Sequence, residues 1–231
     1  MIEEVLPAGV QVASVFGDPP GPPLFPQEAA LVSNSVEQRQ REFATGRRCA
    51  RQALARLGLP AAPLTAGARG EPLWPAGVVG AITHSAHYRA AAVARQADVM
   101  SLGVDAERIR RLPEGVFETV SLPEERVAVA RLRRFAPMTP WEMLLFSAKE
   151  SVYKAWFPLT GKFLDFEEAI ISFDPAQGTF SARLLVPGPP WGDSSLDVFN
   201  GRWVVRDGFA LTAIAVPVPP AGGSSAAMTG P

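Results

Sequence analysis

The sequence predicts an α+β protein, and three observations carry that prediction. Apolar residues at three- and four-residue spacing mark helices near residues 35–57 and 141–156. Short β-rich runs bounded by turn residues mark strands that pair mainly as hairpins. Asp207-Gly208, between runs at 201–206 and 209–216, is the strongest of these turn signals. Helices and hairpins also fall into two blocks. With 231 residues, 47% of them hydrophobic and 19% charged, the chain is long enough for one large core or two small ones.

Residues 11–16 alternate weakly and read as an edge strand. Five prolines and two glycines make 17–26 a loop. A helix begins at Ser33 or Ser35 and is ended by Gly58 and Pro60. Residues 60–75 are a loop, 77–83 and 90–94 are strands joined through Thr83-His84-Ser85, and 97–101 is a turn. Leu102 opens a further strand. Short helices follow at 114–120 and 123–133, the second with Pro123 in its first turn and acids behind it. Thr139 and Pro140 are the expected N-cap and first residue of the central helix. Beyond a loop at 159–165, strands are expected at 169–173 and 179–186 ahead of the final hairpin. Residues 217–231 are mostly Pro, Gly, Ala and Ser, the composition of a mobile tail.

Chemistry concentrates in two stretches, Leu102-Gly103-Val104-Asp105-Ala106-Glu107 and Phe146-Ser147-Ala148-Lys149-Glu150-Ser151-Val152-Tyr153-Lys154-Ala155-Trp156. Side chains two apart on a strand share a face, so Asp105 and Glu107 can meet one cation. On the helix, Glu150 and Lys154 stack one turn apart, opposite the apolar stripe of Leu144, Leu145, Ala148, Val152 and Ala155. Three carboxylates without Cys or His ligands suit a hard cation, Mg²⁺ before Zn²⁺. Lys149 and Lys154 beside them suggest a substrate carrying phosphate. An ordinary solvated Glu-Lys pair and an acidic strand end give the same pattern.

Arg39, Arg41, Arg47, Arg48, Arg51 and Arg56 crowd the first long helix. They form either a solvated face or a phosphate-binding one, because guanidinium forks match phosphate oxygens. Arg47 and Arg51 lie one turn apart, although Arg48 competes with Arg47 for the same role. The single Cys49 excludes an intrachain disulfide and reads as a packed small side chain. His84 and His87 are the only histidines, and His87 reads as structural. A net charge of -1 argues against bulk attraction to nucleic acid or membrane. No basic leader opens the chain and no apolar run approaches bilayer length, so the expectation is a cytoplasmic protein.

The two chemical stretches resemble the signatures (V/I)G(V/I)D.E and (F/W)..KE...K of the Sfp-type 4′-phosphopantetheinyl transferases, with a typical gap between them. Arg69-Gly70-Glu71-Pro72-Leu73-Trp74-Pro75 is similar to that family's (K/R)G.P.WP segment, and Ile82-Thr83-His84-Ser85 to its Thr-His-Ser element. Within the family the chain looks most like the enterobactin-type and actinobacterial branch. The resemblance spans roughly residues 43–213. It implies two similar α+β lobes related by a pseudo-twofold, with coenzyme A in the cleft between them. The corresponding divisions are 1–104, 105–217 and a tail at 218–231. The implied reaction moves the phosphopantetheine arm of coenzyme A onto a serine of an apo acyl or peptidyl carrier protein, releasing adenosine 3′,5′-bisphosphate. Such carriers serve fatty-acid, polyketide, non-ribosomal peptide and siderophore assembly.

On this resemblance Asp105, Glu107 and Glu150 bind Mg²⁺, with Glu107 direct or through water. Arg47, Arg51, Arg69, Thr83, His84, Lys149 and Lys154 hold the coenzyme, and Glu150, Lys154 and Asp105 carry the chemistry. A monomer with no nucleic-acid or membrane partner is expected. Two rival classes use the same residues. One is a metal-dependent nucleotide phosphohydrolase with water as nucleophile. The other is a non-catalytic module that binds a nucleotide or nucleic acid through its arginine-rich helix.

Overall fold

A computed structural model describes residues 1–220 and shows the expected α+β architecture. The first block contains β1 (Gln11–Phe16), α1 (Pro26–Val32), α2 (Glu37–Arg56), β2 (Val78–Ser85) and β3 (Tyr88–Arg95). Its three strands form an antiparallel sheet in the order β1-β3-β2. Cys49, Ala50, Ala53 and Leu54 of α2 are buried with Ala91 and Val93 of that sheet. Cys49 is therefore a packed core residue.

The second block opens with β4 (Val99–Arg108), α3 (Val116–Val120), α4 (Pro123–Phe135) and α5 (Trp141–Thr160). It continues with β5 (Ala169–Asp174), β6 (Thr179–Leu184), the short β7 (Pro190–Trp191) and β8 (Ser194–Ser195), β9 (Val198–Arg206) and β10 (Phe209–Pro217). Five of these strands make an antiparallel sheet in the order β4-β10-β9-β6-β5. The β9–β10 turn has positive φ at both Asp207 and Gly208, as a two-residue hairpin of matching twist requires. α5 buries Trp141, Leu144, Leu145, Ala148, Val152, Ala155 and Trp156 against one face of the sheet. The other faces of the two sheets close on a shared core that includes Ile2, Val5, Ala81, Ala92, Val104, Ala106 and Leu211.

Gly103 sets how α5 meets β4. A Cβ there would stand 1.9 Å from the Ser151 carbonyl oxygen and 2.9 Å from the Ala155 nitrogen. Only glycine lets the helix backbone lie this close to the strand. Ser101 Oγ then reaches the Ala155 carbonyl oxygen at 2.7 Å. That close approach carries Glu150 and Lys154 to the strand position of Asp105.

Several boundaries differ from the expectations. α1 was not expected. Its Pro26 stands in the first turn and Glu28 caps the Phe25 N–H, a start signal hidden by the preceding prolines. α2 begins at Glu37, after Val36, because α1 has already used the segment before it. Thr83, His84 and Ser85 belong to β2 and the turn is Ala86-His87, with Ala86 at φ 48°. β4 starts at Val99, inside the expected turn, and runs unbroken through the expected division at 104/105. Pro140 caps α5 in place of Thr139, and the helix continues through Pro158 to Thr160. Most of the expected tail, residues 221–231, lies outside the described residues.

Candidate active site

The site lies where β2 of one sheet runs beside β4 of the other. The two strands share no sheet ladder. Side-chain hydroxyls bridge them instead. Thr83 Oγ1 accepts the Ala106 N–H at 3.1 Å and donates to Asp105 Oδ1 at 3.3 Å. Two residues on, Ser85 Oγ accepts the Arg108 N–H at 3.1 Å and donates to Glu107 Oε2 at 2.8 Å. Both carboxylates do share one face, as the strand period requires.

From α5, Lys154 Nζ donates to Asp105 Oδ1 at 2.7 Å and to the Val104 carbonyl oxygen at 3.1 Å. Asp105 is 3% exposed, and its second oxygen, Oδ2, is buried with no partner. Burial, and then the Asp105 charge, push the Glu107 carboxyl up to about 7. Glu150 is raised by the same two causes, opposed by Lys154. These groups form a crowded acidic cluster in which burial first, and the Asp105 charge second, favour the protonated forms of Glu107 and Glu150. Among the described residues no three His, Cys, Asp or Glu side chains converge into a ready-made metal cage. An open set of carboxylates completed by water and substrate oxygens is the arrangement Mg²⁺ uses.

The first lobe supplies the neighbouring cations. Arg39 Nη1 lies 3.0 Å from His84 Nε2. A guanidinium only donates, so Nε2 accepts and His84 is the neutral ring with its proton on Nδ1. Crowding by protein atoms, then Arg39 and Lys154, hold this imidazole below its usual range, although one edge stays exposed. Arg47 lies over the Phe43 ring and donates from Nε to the Leu64 carbonyl oxygen at 2.9 Å. Burial lowers its pKa to about 10. Arg51 Nη1 donates to both Glu28 oxygens, at 2.9 and 2.7 Å. The Nη2 atoms of Arg47 and Arg51 are buried without partners. Arg48 turns to Thr45 Oγ1 at 2.8 Å, and Arg69 is exposed in a tight turn tied by Glu71.

Two expected coenzyme ligands point elsewhere. Lys149 is buried, with Nζ 2.9 Å from Glu125 and donating to the carbonyl oxygens of Phe166 and Ala169. Its ammonium is a core tie about 100° round α5 from Glu150, and burial outweighs Glu125 in lowering its pKa. Thr83 is 1% exposed and its hydroxyl is committed to β4. Two neighbours of the site were named only within larger groups, Arg39 among the six arginines and Ser85 in the Thr-His-Ser element. Arg39 occupies the helix face of Phe43, Arg47 and Arg51 at four-residue spacing, a signal that was available. Ser85 repeats the two-residue spacing of Asp105 and Glu107.

Carboxylates with an unclaimed oxygen, a shared lysine and a flanking Arg–His pair are the equipment of a phosphoryl-type transferase. Known proteins narrow this class. Residues 27–94 match the 4′-phosphopantetheinyl transferase N-terminal domain, and residues 101–205 match the 4′-phosphopantetheinyl transferase superfamily. The chain is 55% identical over 222 residues to 4′-phosphopantetheinyl transferase Svp of Streptomyces mobaraensis, covering 95% of this chain and 90% of that one. It is 48% identical over 223 residues to 4′-phosphopantetheinyl transferase Npt of Nocardia iowensis, covering 93% and 99%. It is 45% identical over 222 residues to 4′-phosphopantetheinyl transferase PptT of Mycobacterium tuberculosis, covering 93% and 97%. The chain belongs to the 4′-phosphopantetheinyl transferase superfamily, in agreement with the motifs, and coenzyme A is the substrate this family uses. Among the described residues no helix is long and apolar enough to cross a membrane.

Proposed function

We propose that this transferase moves the 4′-phosphopantetheine arm of coenzyme A onto a serine hydroxyl of apo acyl or peptidyl carrier proteins. The observation that carries the reading is the acidic cluster itself. Asp105 pairs with Lys154, Glu107 and Glu150 lie close enough to feel both charges, and a buried Asp105 oxygen lacks a partner. That donor set fits Mg²⁺, which would bind these carboxylates and neutralise charge on the coenzyme pyrophosphate.

The serine oxygen forms a bond to the β-phosphorus of coenzyme A. The bond from that phosphorus to the bridging oxygen breaks, and adenosine 3′,5′-bisphosphate departs with the electron pair. Glu150 takes the serine proton, directly or through a bound water, because a neutral hydroxyl is a poor nucleophile. Lys154 holds Asp105 in place with part of its donor set, and its remaining N–H steadies the transferring phosphate. In the first lobe Arg39, Arg69 and His84, the last through Nδ1–H, hold the nucleotide phosphates. Arg47 and Arg51 stand behind them with their unpartnered Nη2 atoms. Lys149 and the Thr83 hydroxyl take no part in coenzyme binding.

The unbroken β4 supports a lobe division just before Val99, and a cytoplasmic setting suits a buried, unpaired Cys49. One incubation tests the function. Coenzyme A, Mg²⁺ and an apo carrier protein are mixed with the enzyme and the carrier is weighed by mass spectrometry. The carrier gains one phosphopantetheine mass with wild type and none with Asp105→Ala. Hydrolysed coenzyme with an unmodified carrier would instead support a phosphohydrolase.

A further inference from the structure

Thr83 and Ser85 do more than fill the gap between two sheets. Each hydroxyl makes the same pair of bonds across the seam. It accepts a backbone N–H of β4 and donates to the carboxylate of the preceding residue: Ala106 and Asp105 for Thr83, Arg108 and Glu107 for Ser85. Only a side chain that accepts and donates at one atom can do both, and a hydroxyl is the smallest that does. The bonds also divide each carboxylate. Thr83 and Lys154 hold Asp105 Oδ1, which leaves Oδ2 buried and unpartnered, while Ser85 holds one oxygen of Glu107. β2 and β4 have no sheet ladder between them, so these hydroxyls set the register of the first lobe against the strand that carries the acids. On their far sides the same β2 residues pair with Ala90 and Tyr88 of β3. His84, between them, faces the opposite side of β2 and meets Arg39 of α2.

We propose that Thr83 and Ser85 are positioning residues. They orient Asp105 and Glu107 and fix the acidic cluster relative to the His84–Arg39 pair, without touching the coenzyme themselves. The proposal rests on the site reading given above. It reverses the coenzyme-binding role that the Thr-His-Ser element suggested for Thr83.

The test compares Thr83→Val, which keeps the shape and removes the hydroxyl, with Thr83→Ser, which restores it, and with Ser85→Ala. Carrier modification is followed at varied coenzyme A. Binding of Mn²⁺ alone is followed by electron paramagnetic resonance, and folding by thermal unfolding. Displaced acids should cost Thr83→Val and Ser85→Ala about 10- to 100-fold in kcat, with KM for coenzyme A changed by less than about twofold. Mn²⁺ binding should weaken in both, and Thr83→Ser should recover most of kcat. A loss confined to KM for coenzyme A would return Thr83 to the coenzyme and overturn the proposal. So would a Thr83→Ser variant as impaired as Thr83→Val. Should Thr83→Val fail to fold, Ser85→Ala decides alone, and an unchanged kcat there overturns it. Failure of the underlying site reading looks different, because Asp105→Ala would then retain wild-type transfer.

Discussion

The two lobes are built around the same clasp. In the first, Phe25-Pro26-Gln27-Glu28 opens α1; in the second, Leu122-Pro123-Glu124-Glu125 opens α4. Each glutamate is buried and takes its own helix's leading N–H, Phe25 at 3.0 Å and Leu122 at 2.8 Å. Each also takes a distant backbone N–H, Leu64 at 2.9 Å and Ile171 at 2.6 Å. A cation from the lobe's long helix then neutralises it, Arg51 of α2 for Glu28 and Lys149 of α5 for Glu125. The difference lies in that cation. An ammonium has three N–H groups, and Lys149 has three partners in Glu125, Phe166 and Ala169. A guanidinium has five, and Arg51 serves Glu28 through Nη1 while Nη2 stays unpartnered. One clasp is closed. The other retains a donor, which in the proposed function stands behind the nucleotide phosphates.

Breaking the closed clasp should have the largest effect. Lys149→Met leaves Glu125 charged and buried, and urea denaturation should show a loss of about 3–5 kcal/mol. KM for coenzyme A in the folded protein should be unchanged, whereas a raised KM at full stability would make Lys149 a coenzyme ligand after all. Arg51→Met should cost less, about 1.5–3 kcal/mol, because Arg51 is more exposed than Lys149, at 11% against 2%. Unlike Lys149→Met, it should also weaken the preference for coenzyme A over its 3′-dephospho form. Arg51→Lys sharpens the contrast further. It keeps the ion pair, so stability should fall by less than about 1 kcal/mol, yet the same loss of preference should appear. An undiminished preference in both Arg51 variants would mean that Nη2 serves only the fold.

The seam that joins the lobes gives a pH-dependent effect. Glu107 titrates near 7 in the folded protein against an ordinary value of 4.5. Between those values the folded state holds a proton that the unfolded chain has released. Metal-free protein should therefore lose stability as pH rises through this window and level off above it. Glu107→Gln should flatten that slope in thermal unfolding scans across the same range.

Much of this was legible in the sequence because period and residue type determine it. The two-residue spacing of Asp105 and Glu107 required a shared face, and the four-residue spacing of Glu150 and Lys154 required one side of α5. Gly103 marked a close backbone approach. What the sequence hides is the partner of each cation. Lys149 and Glu150 are neighbours in the chain, but a helix turns them about 100° apart, and Glu125 decides which way the lysine is used. α1 was lost among prolines, and its Glu28 could not be paired with Arg51 from 23 residues away. The likeness of the two clasps rests on a Pro and a Glu in four residues, too little to read as a repeat. Thr83 matched a motif correctly, and its burial against β4 is a property of the seam alone.

The central claim is that Glu150, raised by burial beside Asp105, takes the proton of the carrier serine. The most direct measurement is the pH dependence of kcat at saturating carrier, coenzyme A and Mg²⁺, for wild type and for Glu150→Gln. A base works ionised, so wild-type kcat should rise with pH as one group ionises, and the residual activity of Glu150→Gln should lack that limb. An identical profile in both proteins would contradict the account and move the proton to another group.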